Sequence, residues 1–255
     1  MTKVVAFIQA RCSSSRFPNK VLAPLAGTSM IEFMVARARR SQRVNETVVL
    51  TSTDPSDDPL AALLAHAGIN FHRGDLHDVL DRFGTAAERF PADVYVRLTG
   101  DCPLIDPSII DRVIDGLIMH RADYASNVDP PTFPDGLDVE AFTVGTLRAA
   151  LQLAKRPAER EHVTLWMRSD EAAFKRWNLR APFDMASLRL TVDYPDDLLV
   201  VQTLSANLPE PLLADLYECL RILDQQPELL AANPHGRNEG LTISLNNDTA
   251  NRSQP

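Results

Sequence analysis

Residues 4–20 read Val4-Val5-Ala6-Phe7-Ile8-Gln9-Ala10-Arg11-Cys12-Ser13-Ser14-Ser15-Arg16-Phe17-Pro18-Asn19-Lys20, and this stretch decides the fold. Its unbroken apolar run predicts a strand that is buried on both faces. The following loop suits a phosphate, because short side chains let backbone N–H groups approach an anion while Arg and Lys neutralise its charge. The loop lacks the glycines of the Walker A and Rossmann sequences. A surface loop with solvated cations is the alternative interpretation.

Strands and helices alternate after this loop. Predicted strands are Thr47–Thr51, Ile69–His72 and Val94–Leu98, and predicted helix starts are Ser29–Glu32, Asp58-Pro59, Asp78 and Asp106-Pro107. This rhythm predicts an α/β fold with a mostly parallel sheet that is covered on both sides. Ligands bind at the carboxyl ends of such strands. We therefore expect one sheet edge to collect the basic loop, Ser52-Thr53-Asp54, Arg73-Gly74 and Gly100-Asp101.

The regular alternation of predicted strands and helices ends after Tyr124. We predict strands at Leu137–Phe142 and Arg189–Asp193, and a helix near Val144–Ala154. Further helices are expected to start near Glu159–Thr164 and at Pro195, and to cover Leu212–Leu223. The Pro195 helix is expected to bury Leu198, Leu199, Val201 and Leu204. One domain is predicted for residues 1–233, followed by a polar C-terminal segment, 234–255, whose end is flexible.

Composition excludes several classes of protein. The formal net charge of −8 over 255 residues argues against a general nucleic-acid binder, which needs a basic face. The sequence shows neither a leader nor an apolar run near 18 residues, so we expect no membrane association. Its three cysteines, Cys12, Cys102 and Cys219, fit neither a disulfide framework nor a zinc site, which favours a cytoplasmic protein.

Two carboxylates are candidate magnesium ligands. Asp101 follows a predicted strand and Gly100, and Asp193 closes the predicted strand Arg189–Asp193. Carboxylates on rigid strand ends are suitable Mg²⁺ ligands; the alternative interpretation is that each Asp caps a turn. Asp196 or Asp197 serves the start of the next helix, which leaves Asp193 free. Two carboxylates beside a cluster of cations suggest a metal-bound triphosphate.

Five ordered motifs together resemble a known family. They are Gln9 to Lys20, Arg97 to Leu104 (Arg-Leu-Thr-Gly-Asp-Cys-Pro-Leu), Gly136 to Glu140 (Gly-Leu-Asp-Val-Glu), Glu159 to Thr164 (Glu-Arg-Glu-His-Val-Thr) and Leu190 to Asp197 (Leu-Thr-Val-Asp-Tyr-Pro-Asp-Asp). The sequence is similar to the cytidylyltransferases that make CMP-sugars, and especially to the spore-coat polysaccharide biosynthesis protein F branch. The resemblance runs from about Lys3 to Leu204. It departs from the family pattern at Ser13 and Asn19, where relatives are expected to carry glycine.

The resemblance implies a three-layer nucleotidyltransferase fold of the GT-A/Rossmann-like kind that binds CTP and Mg²⁺. By similarity, Arg11, Arg16 and Lys20 contact the triphosphate as catalytic residues, and Asp101 and Asp193 bind the metal. The implied nucleotide-binding residues are Gln9, Ala10, Ser13, Ser14, Thr51, Thr53, Asp54, Arg73, Gly74, Arg97 and Gly100. The implied acceptor-binding residues are Gly136, Asp138, Glu140, Arg160 and His162.

The function that follows is transfer of CMP from CTP to an acidic sugar or similar small acceptor, with release of pyrophosphate, for polysaccharide or glycoconjugate biosynthesis. A GT-A-like glycosyltransferase and a non-catalytic nucleotide-sugar-binding subunit are the alternatives. His162 is either an acceptor-orienting group or base, or a histidine packed beside Glu159 or Glu161. Cys12 and Cys102 are interpreted as packing residues. The resemblance also makes a homodimer plausible.

Overall fold

The computed structural model describes residues 2–231, 235–237, 239, 241–242 and 244–246. Its strands are β1 Val4–Gln9, β2 Pro24–Leu25, β3 Thr28–Ser29, β4 Glu46–Ser52, β5 Phe71–Gly74, β6 Val94–Thr99, β7 Tyr124–Ser126, β8 Glu140–Thr143 and β9 Arg176–Asn178. Its helices are α1 Met30–Ala38, α2 Asp58–His66, α3 Val79–Arg89, α4 Pro107–His120, α5 Val144–Leu153, α6 Pro157–Glu161, α7 Pro195–Asn207, α8 Leu216–Gln225 and α9 Glu228–Ala231. Short 3₁₀ helices cover Lys20–Leu22 and Pro55–Asp57.

Seven strands form the central sheet in the order β5-β4-β1-β6-β8-β7-β9. Strand β8 is antiparallel to both of its neighbours, and the other pairings are parallel. The predicted mostly parallel α/β sheet is therefore confirmed. Strand β1 lies between β4 and β6, so the loop that follows it emerges near the middle of the sheet.

Alternate residues of β1 enter two different cores. Val4, Ala6 and Ile8 pack in a core with residues of α1, α4, α7 and α8, whereas Val5 and Phe7 pack in a second core with residues of α3 and α5. Successive side chains of a strand point to opposite faces of the sheet. This explains why the run from Val4 to Ile8 is apolar without alternation, and it confirms the three-layer architecture.

Local signals located most helix starts correctly. Ser29 and Glu32 form the predicted capping box of α1, and the Asp78 and Asp106 side chains cap α3 and α4. Asp197 accepts hydrogen bonds from the backbone N–H groups of Asp193 and Tyr194 at the start of α7. Short polar side chains are favoured at these positions because they accept hydrogen bonds from the free N–H groups at the start of a helix.

Three predictions about the later chain were wrong. Residues 189–193 form no strand; Arg189 makes an isolated bridge with Asp135. Leu199 of α7 is 62% exposed, although it was expected to be buried. Helix α6 ends at Glu161, so the motif Glu159–Thr164 spans the end of that helix and not its start.

The described part of the C-terminal segment contacts the domain. Arg237 ion-pairs with Asp138, and Glu239 accepts a hydrogen bond from the Tyr194 hydroxyl at 2.8 Å. The frayed end that we predicted lies mostly outside the described residues. The described helices include none that is long and apolar enough to cross a membrane.

Candidate active site

The basic loop folds back on itself after β1. The Cys12 carbonyl accepts hydrogen bonds from the N–H groups of Ser14 and Asn19, both at 2.9 Å. Asn19 has a φ of 61°, a left-handed conformation that Asn tolerates better than most residues. Ser13, the other position where glycine was expected, is not among the described residues with positive φ. The loop therefore closes without glycine and ends at Lys20.

A buried carboxylate anchors this loop to the neighbouring strand. Asp57 is fully buried, and its Oδ1 accepts from the Cys12 N–H at 2.7 Å. Its Oδ2 accepts from the Ser52 N–H at 3.0 Å and from the Ser52 hydroxyl. We predicted Asp58 as the helix cap and assigned no role to Asp57. Adjacent aspartates before a proline look alike in a single sequence, so no signal distinguished them.

Replacing Asp57 should destabilise the loop. We expect Asp57→Ala to lower the free energy of unfolding by about 3 kcal/mol, because buried N–H groups of Cys12 and Ser52 lose a charged acceptor. Asp58→Ala is the matched control: its exposed ion pair with Arg73 is worth about 0–1 kcal/mol. Urea unfolding of the two variants measures the difference. Equal losses would show that Asp57 does not anchor the loop.

Lys20 projects from the loop into a group of carboxylates. Its Nζ lies 2.8 Å from Asp193 Oδ1, 2.7 Å from the Val192 carbonyl oxygen and 3.4 Å from Asp101 Oδ2. Its side chain is only 9% exposed. Burial alone would lower the pKa of Lys20, but Asp101 and Asp193 outweigh burial and raise it. The ammonium is therefore charged at neutral pH.

Arg16, four residues before Lys20 in the same loop, also contacts Asp193. Its Nη2 lies 2.7 Å from Asp193 Oδ1, and its guanidinium stands 5.3 Å from the centre of the Tyr194 ring. Burial would raise the pKa of Asp193, but Lys20 and Arg16 together lower it. Asp193 is therefore ionised and shared by two of the predicted phosphate-binding cations.

Close backbone packing places Asp101 and Asp193 side by side. The Gly100 N–H donates to the Gln9 carbonyl at 2.8 Å, and a Cβ at Gly100 would lie only 2.8 Å from the Cβ of Ala10. The Asp101 carbonyl then accepts from the Val192 N–H at 2.8 Å. Asp193 thus reaches the site from an irregular segment that is hydrogen-bonded to the Asp101 turn, and not from a strand end.

The two carboxylates fit one magnesium ion only together with a substrate. Within the described residues, no group of three or more His, Cys, Asp or Glu side chains could hold a metal. Asp101 and Asp193 nevertheless both face the same cavity and both contact a cation, Lys20. Mg²⁺ is commonly held by one or two carboxylates and completes its coordination with water and phosphate oxygens. The donor set is therefore suitable for a metal–triphosphate complex.

The basic loop borders a cavity of about 370 Å³. Five cations line it, which suits a polyanion: Arg11, Arg16, Lys20, Arg82 and Arg97. Other predicted site residues on its wall are Gln9, Ala10, Ser14, Gly100, Asp101, His162 and Asp193. Arg82 was missed by the sequence analysis, because it lies within the amphipathic pattern of α3 and belongs to none of the motifs.

A second cavity of about 170 Å³ adjoins the first. Six residues line both cavities and so form their common wall: Arg16, Arg97, Thr99, Asp101, His162 and Asp193. Asp138 and Glu140, which were predicted to bind the acceptor, line the second cavity only. The residues predicted for metal and phosphate thus lie between two spaces, of which the larger is basic.

Glu140 is the centre of a buried network in the second cavity. It ion-pairs with Arg97 and accepts hydrogen bonds from the hydroxyls of Tyr124 at 2.5 Å and Thr164 at 2.6 Å. Burial would raise the pKa of Glu140, but Arg97 and these partners lower it to about 2. Its charge fixes Arg97 at the common wall of the two cavities.

His162 lines both cavities and has one ring nitrogen without a partner among the described residues. Its Nε2 is buried, has no hydrogen-bond partner among the described residues, and lies 3.9 Å from the Glu161 carboxylate. Burial and the nearby Arg97 lower the pKa of His162, so the ring is neutral at pH 7. A buried polar atom without a partner is costly, which favours a ligand at this position.

Eight other predicted site residues do not line either cavity in the described part of the chain. They are Ser13, Thr51, Thr53, Asp54, Arg73, Gly74, Gly136 and Arg160. Arg73 donates to the Ser52 carbonyl at 2.7 Å, and Arg160 ion-pairs with Asp78 at 2.6 Å. Gly136 has a φ of +105° and packs against the Leu190 backbone. Each of these contacts supports a loop beside the site, and a role in ligand binding remains a prediction.

The fold and this site define a nucleotidyltransferase enzyme, in which a basic loop after the first strand meets a pair of carboxylates. The chain belongs to the cytidylyltransferase family, whose family profile, described as Cytidylyltransferase, matches residues 5–210.

Individual relatives support this assignment. The chain is 31% identical to the spore coat polysaccharide biosynthesis protein SpsF of Bacillus subtilis, over 89% of this chain and 97% of that protein. It is 36% identical to a 3-deoxy-manno-octulosonate cytidylyltransferase of Geobacter sulfurreducens over 47% of each chain. The solved structure of a cytidylyltransferase from Leptospira borgpetersenii superposes with a TM-score of 0.87 at 28% identity, covering 93% of this chain and 100% of that one.

Proposed function

We propose that this enzyme transfers CMP from CTP to an acidic sugar in the presence of Mg²⁺ and releases pyrophosphate, as a step in the biosynthesis of a surface polysaccharide or glycoconjugate. The observation that carries the proposal is the contact of Lys20 with both Asp101 and Asp193 at the common wall of the two cavities. The names of the relatives in Bacillus subtilis and Geobacter sulfurreducens support the pathway and the acceptor class.

The larger cavity suits the triphosphate. Arg11 is exposed there and makes no ion pair or hydrogen bond through its side chain with the described residues, so its guanidinium is available. Arg16 and Lys20 would exchange their contacts with Asp193 for phosphate oxygens. Asp101 and Asp193 would hold Mg²⁺, which supplies positive charge against the triphosphate and the leaving pyrophosphate.

The smaller cavity suits the acceptor. A hydroxyl oxygen placed at the common wall attacks the α-phosphorus in line, a new O–P bond forms, and the bond to the pyrophosphate oxygen breaks. The loop residues position the two reactants, and positioning is the main contribution of the protein to this kind of reaction. His162 is neutral, and its Nε2 has no partner among the described residues, so it is suited to accept first a hydrogen bond and then the proton from that hydroxyl.

A pyrophosphate-release screen tests the proposal. CTP, UTP, ATP and GTP are each incubated with the protein, Mg²⁺ and a panel of sugar acids that includes 3-deoxy-manno-octulosonate. We expect release with CTP and an acid, and no release without Mg²⁺. Release of a nucleoside diphosphate or monophosphate from a nucleotide sugar would instead indicate a glycosyltransferase. Absence of triphosphate binding in the presence of Mg²⁺ would contradict the proposal.

A further inference from the structure

The second cavity contains a cation that the motifs do not include. Arg168 follows helix α6 in the chain, and its backbone is fixed by a hydrogen bond from its own N–H to the Thr164 carbonyl at 3.2 Å. It lines the second cavity and also a neighbouring cavity of about 530 Å³ that is bordered by Tyr124, Ser126 and Trp177. The Arg168 guanidinium makes no hydrogen bond or ion pair with any described residue, although its side chain is half-buried.

The other arginines in and around the second cavity are all engaged. Arg16 pairs with Asp193, Arg97 with Glu140, Arg189 with Asp135 and Asp197, and Arg237 with Asp138. A partly desolvated guanidinium without an acceptor is unfavourable, because its donors lose water without gaining a partner. Arg168 therefore differs from its neighbours, because none of its five donors has an acceptor among the described residues around the second cavity.

We infer that Arg168 binds the carboxylate of the acceptor, an inference that rests on the proposed function. A guanidinium matches a carboxylate through two parallel hydrogen bonds, which fix orientation as well as position. Held at Arg168, the acid group would anchor the acceptor at one end of the cavity. The acceptor hydroxyl would then lie toward the common wall of the two cavities, where Asp101, Asp193 and His162 are found.

The surrounding charge favours a carboxylate over a phosphate. Burial would lower the pKa of Arg168, but the surrounding groups outweigh burial and raise it: Glu140, Tyr124, Asp129 and Asp138. Glu140 is ionised, as its pKa of about 2 requires. The single charge of Arg168 neutralises a carboxylate, whereas a doubly charged phosphate would leave uncompensated negative charge beside these groups. A sugar carboxylate is thus the anion that one arginine in this setting accommodates.

The test compares Arg168→Gln and Arg168→Lys with the parent and with Arg180→Gln, an exposed arginine outside the cavities. The probes are 3-deoxy-manno-octulosonate, or the panel acid that the parent uses, and the methyl ester of the same acid. We expect Arg168→Gln to raise the KM for the acid about 10- to 100-fold and to leave the KM for CTP unchanged. The parent should prefer acid to ester, and Arg168→Gln should lose this preference. Arg168→Lys should recover part of it, since it restores the charge without the paired donors.

The outcomes separate this inference from the proposed function. A parent that uses an acid, together with an Arg168→Gln variant that keeps the preference for acid over ester, would overturn the role of Arg168 and leave the function intact. A parent that uses only neutral or phosphorylated acceptors would overturn the carboxylate assignment. A parent that releases no pyrophosphate with any acceptor would overturn both. An unchanged KM for CTP excludes general misfolding as the cause of an effect.

Discussion

We expect Lys20→Met to lower kcat for pyrophosphate release by about 10²- to 10³-fold, the loss typical of removing one preorganised charge from a reaction centre. The Lys20 ammonium is almost fully buried, borders the larger cavity and contacts Asp101 and Asp193 of the common wall. Its raised pKa keeps it charged at neutral pH. Charge that develops on the transferring phosphoryl group would therefore meet a fixed positive partner, and methionine fills the same space without that charge.

The same variant should depend more on Mg²⁺ for stability. Without Lys20, Asp101 loses its ion pair, and Asp193 keeps only its ion pairs with Arg16 and Arg189 among the described residues. A divalent cation that binds the native state raises the melting temperature by mass action. We expect Mg²⁺ to raise the melting temperature of Lys20→Met more than that of the parent. Lys175→Met, at an exposed position, is the control for loss of a lysine charge.

Two results would contradict this role of Lys20. If Lys20→Met kept kcat but raised the KM for CTP, the lysine would contribute to binding and not to the reaction. If both kinetic constants were unchanged, phosphate contact by Lys20 would be excluded. Comparison of the CTP dependence of the two lysine variants distinguishes these cases.

Much of the fold was predictable because its signals are local. The apolar run of β1 must be buried on both faces, and Ser29, Asp78 and Asp106 satisfy free N–H groups only a few residues away. Such patterns depend on neighbours in sequence, which a single chain displays. The loop after β1 and the Asp101 turn were placed at one sheet edge for the same reason, since β1 and β6 are parallel neighbours.

The features that the sequence did not predict correctly depend on partners that are distant in sequence. Leu190 and Val192 are apolar and alternate with polar residues, as in a strand, and both are buried. Nevertheless, the Val192 N–H bonds to the Asp101 turn and the Leu190 N–H to the Asp135 carbonyl. Periodicity reports burial and cannot show whether a second strand is present. Asp57 and Arg168 likewise acquire their roles from groups that the fold brings together. The residues next to them in the sequence therefore do not indicate these roles.

The last prediction concerns the metal. We expect Asp101→Asn and Asp193→Asn each to lower pyrophosphate release about a hundredfold or more, since a metal site typically supplies several kcal/mol of charge stabilisation. If both carboxylates bind one ion, the double variant should release pyrophosphate only slightly more slowly than the less active single variant. The effects of residues that act as a unit do not add. Asp196→Asn is the matched control: this aspartate is half-exposed and pairs with His235.

Titration with Mg²⁺ separates two roles of these carboxylates. Metal ligands would shift the Mg²⁺ concentration needed for half-maximal rate, whereas groups that only orient Lys20 and Arg16 would lower the rate at every Mg²⁺ concentration. Independent losses that multiply in the double variant, with an unchanged Mg²⁺ requirement, would exclude a shared ion. Asp193 contacts both cations and Asp101 contacts Lys20 alone. An orienting role would therefore make Asp193→Asn the more damaging variant, while a shared metal predicts similar losses from both.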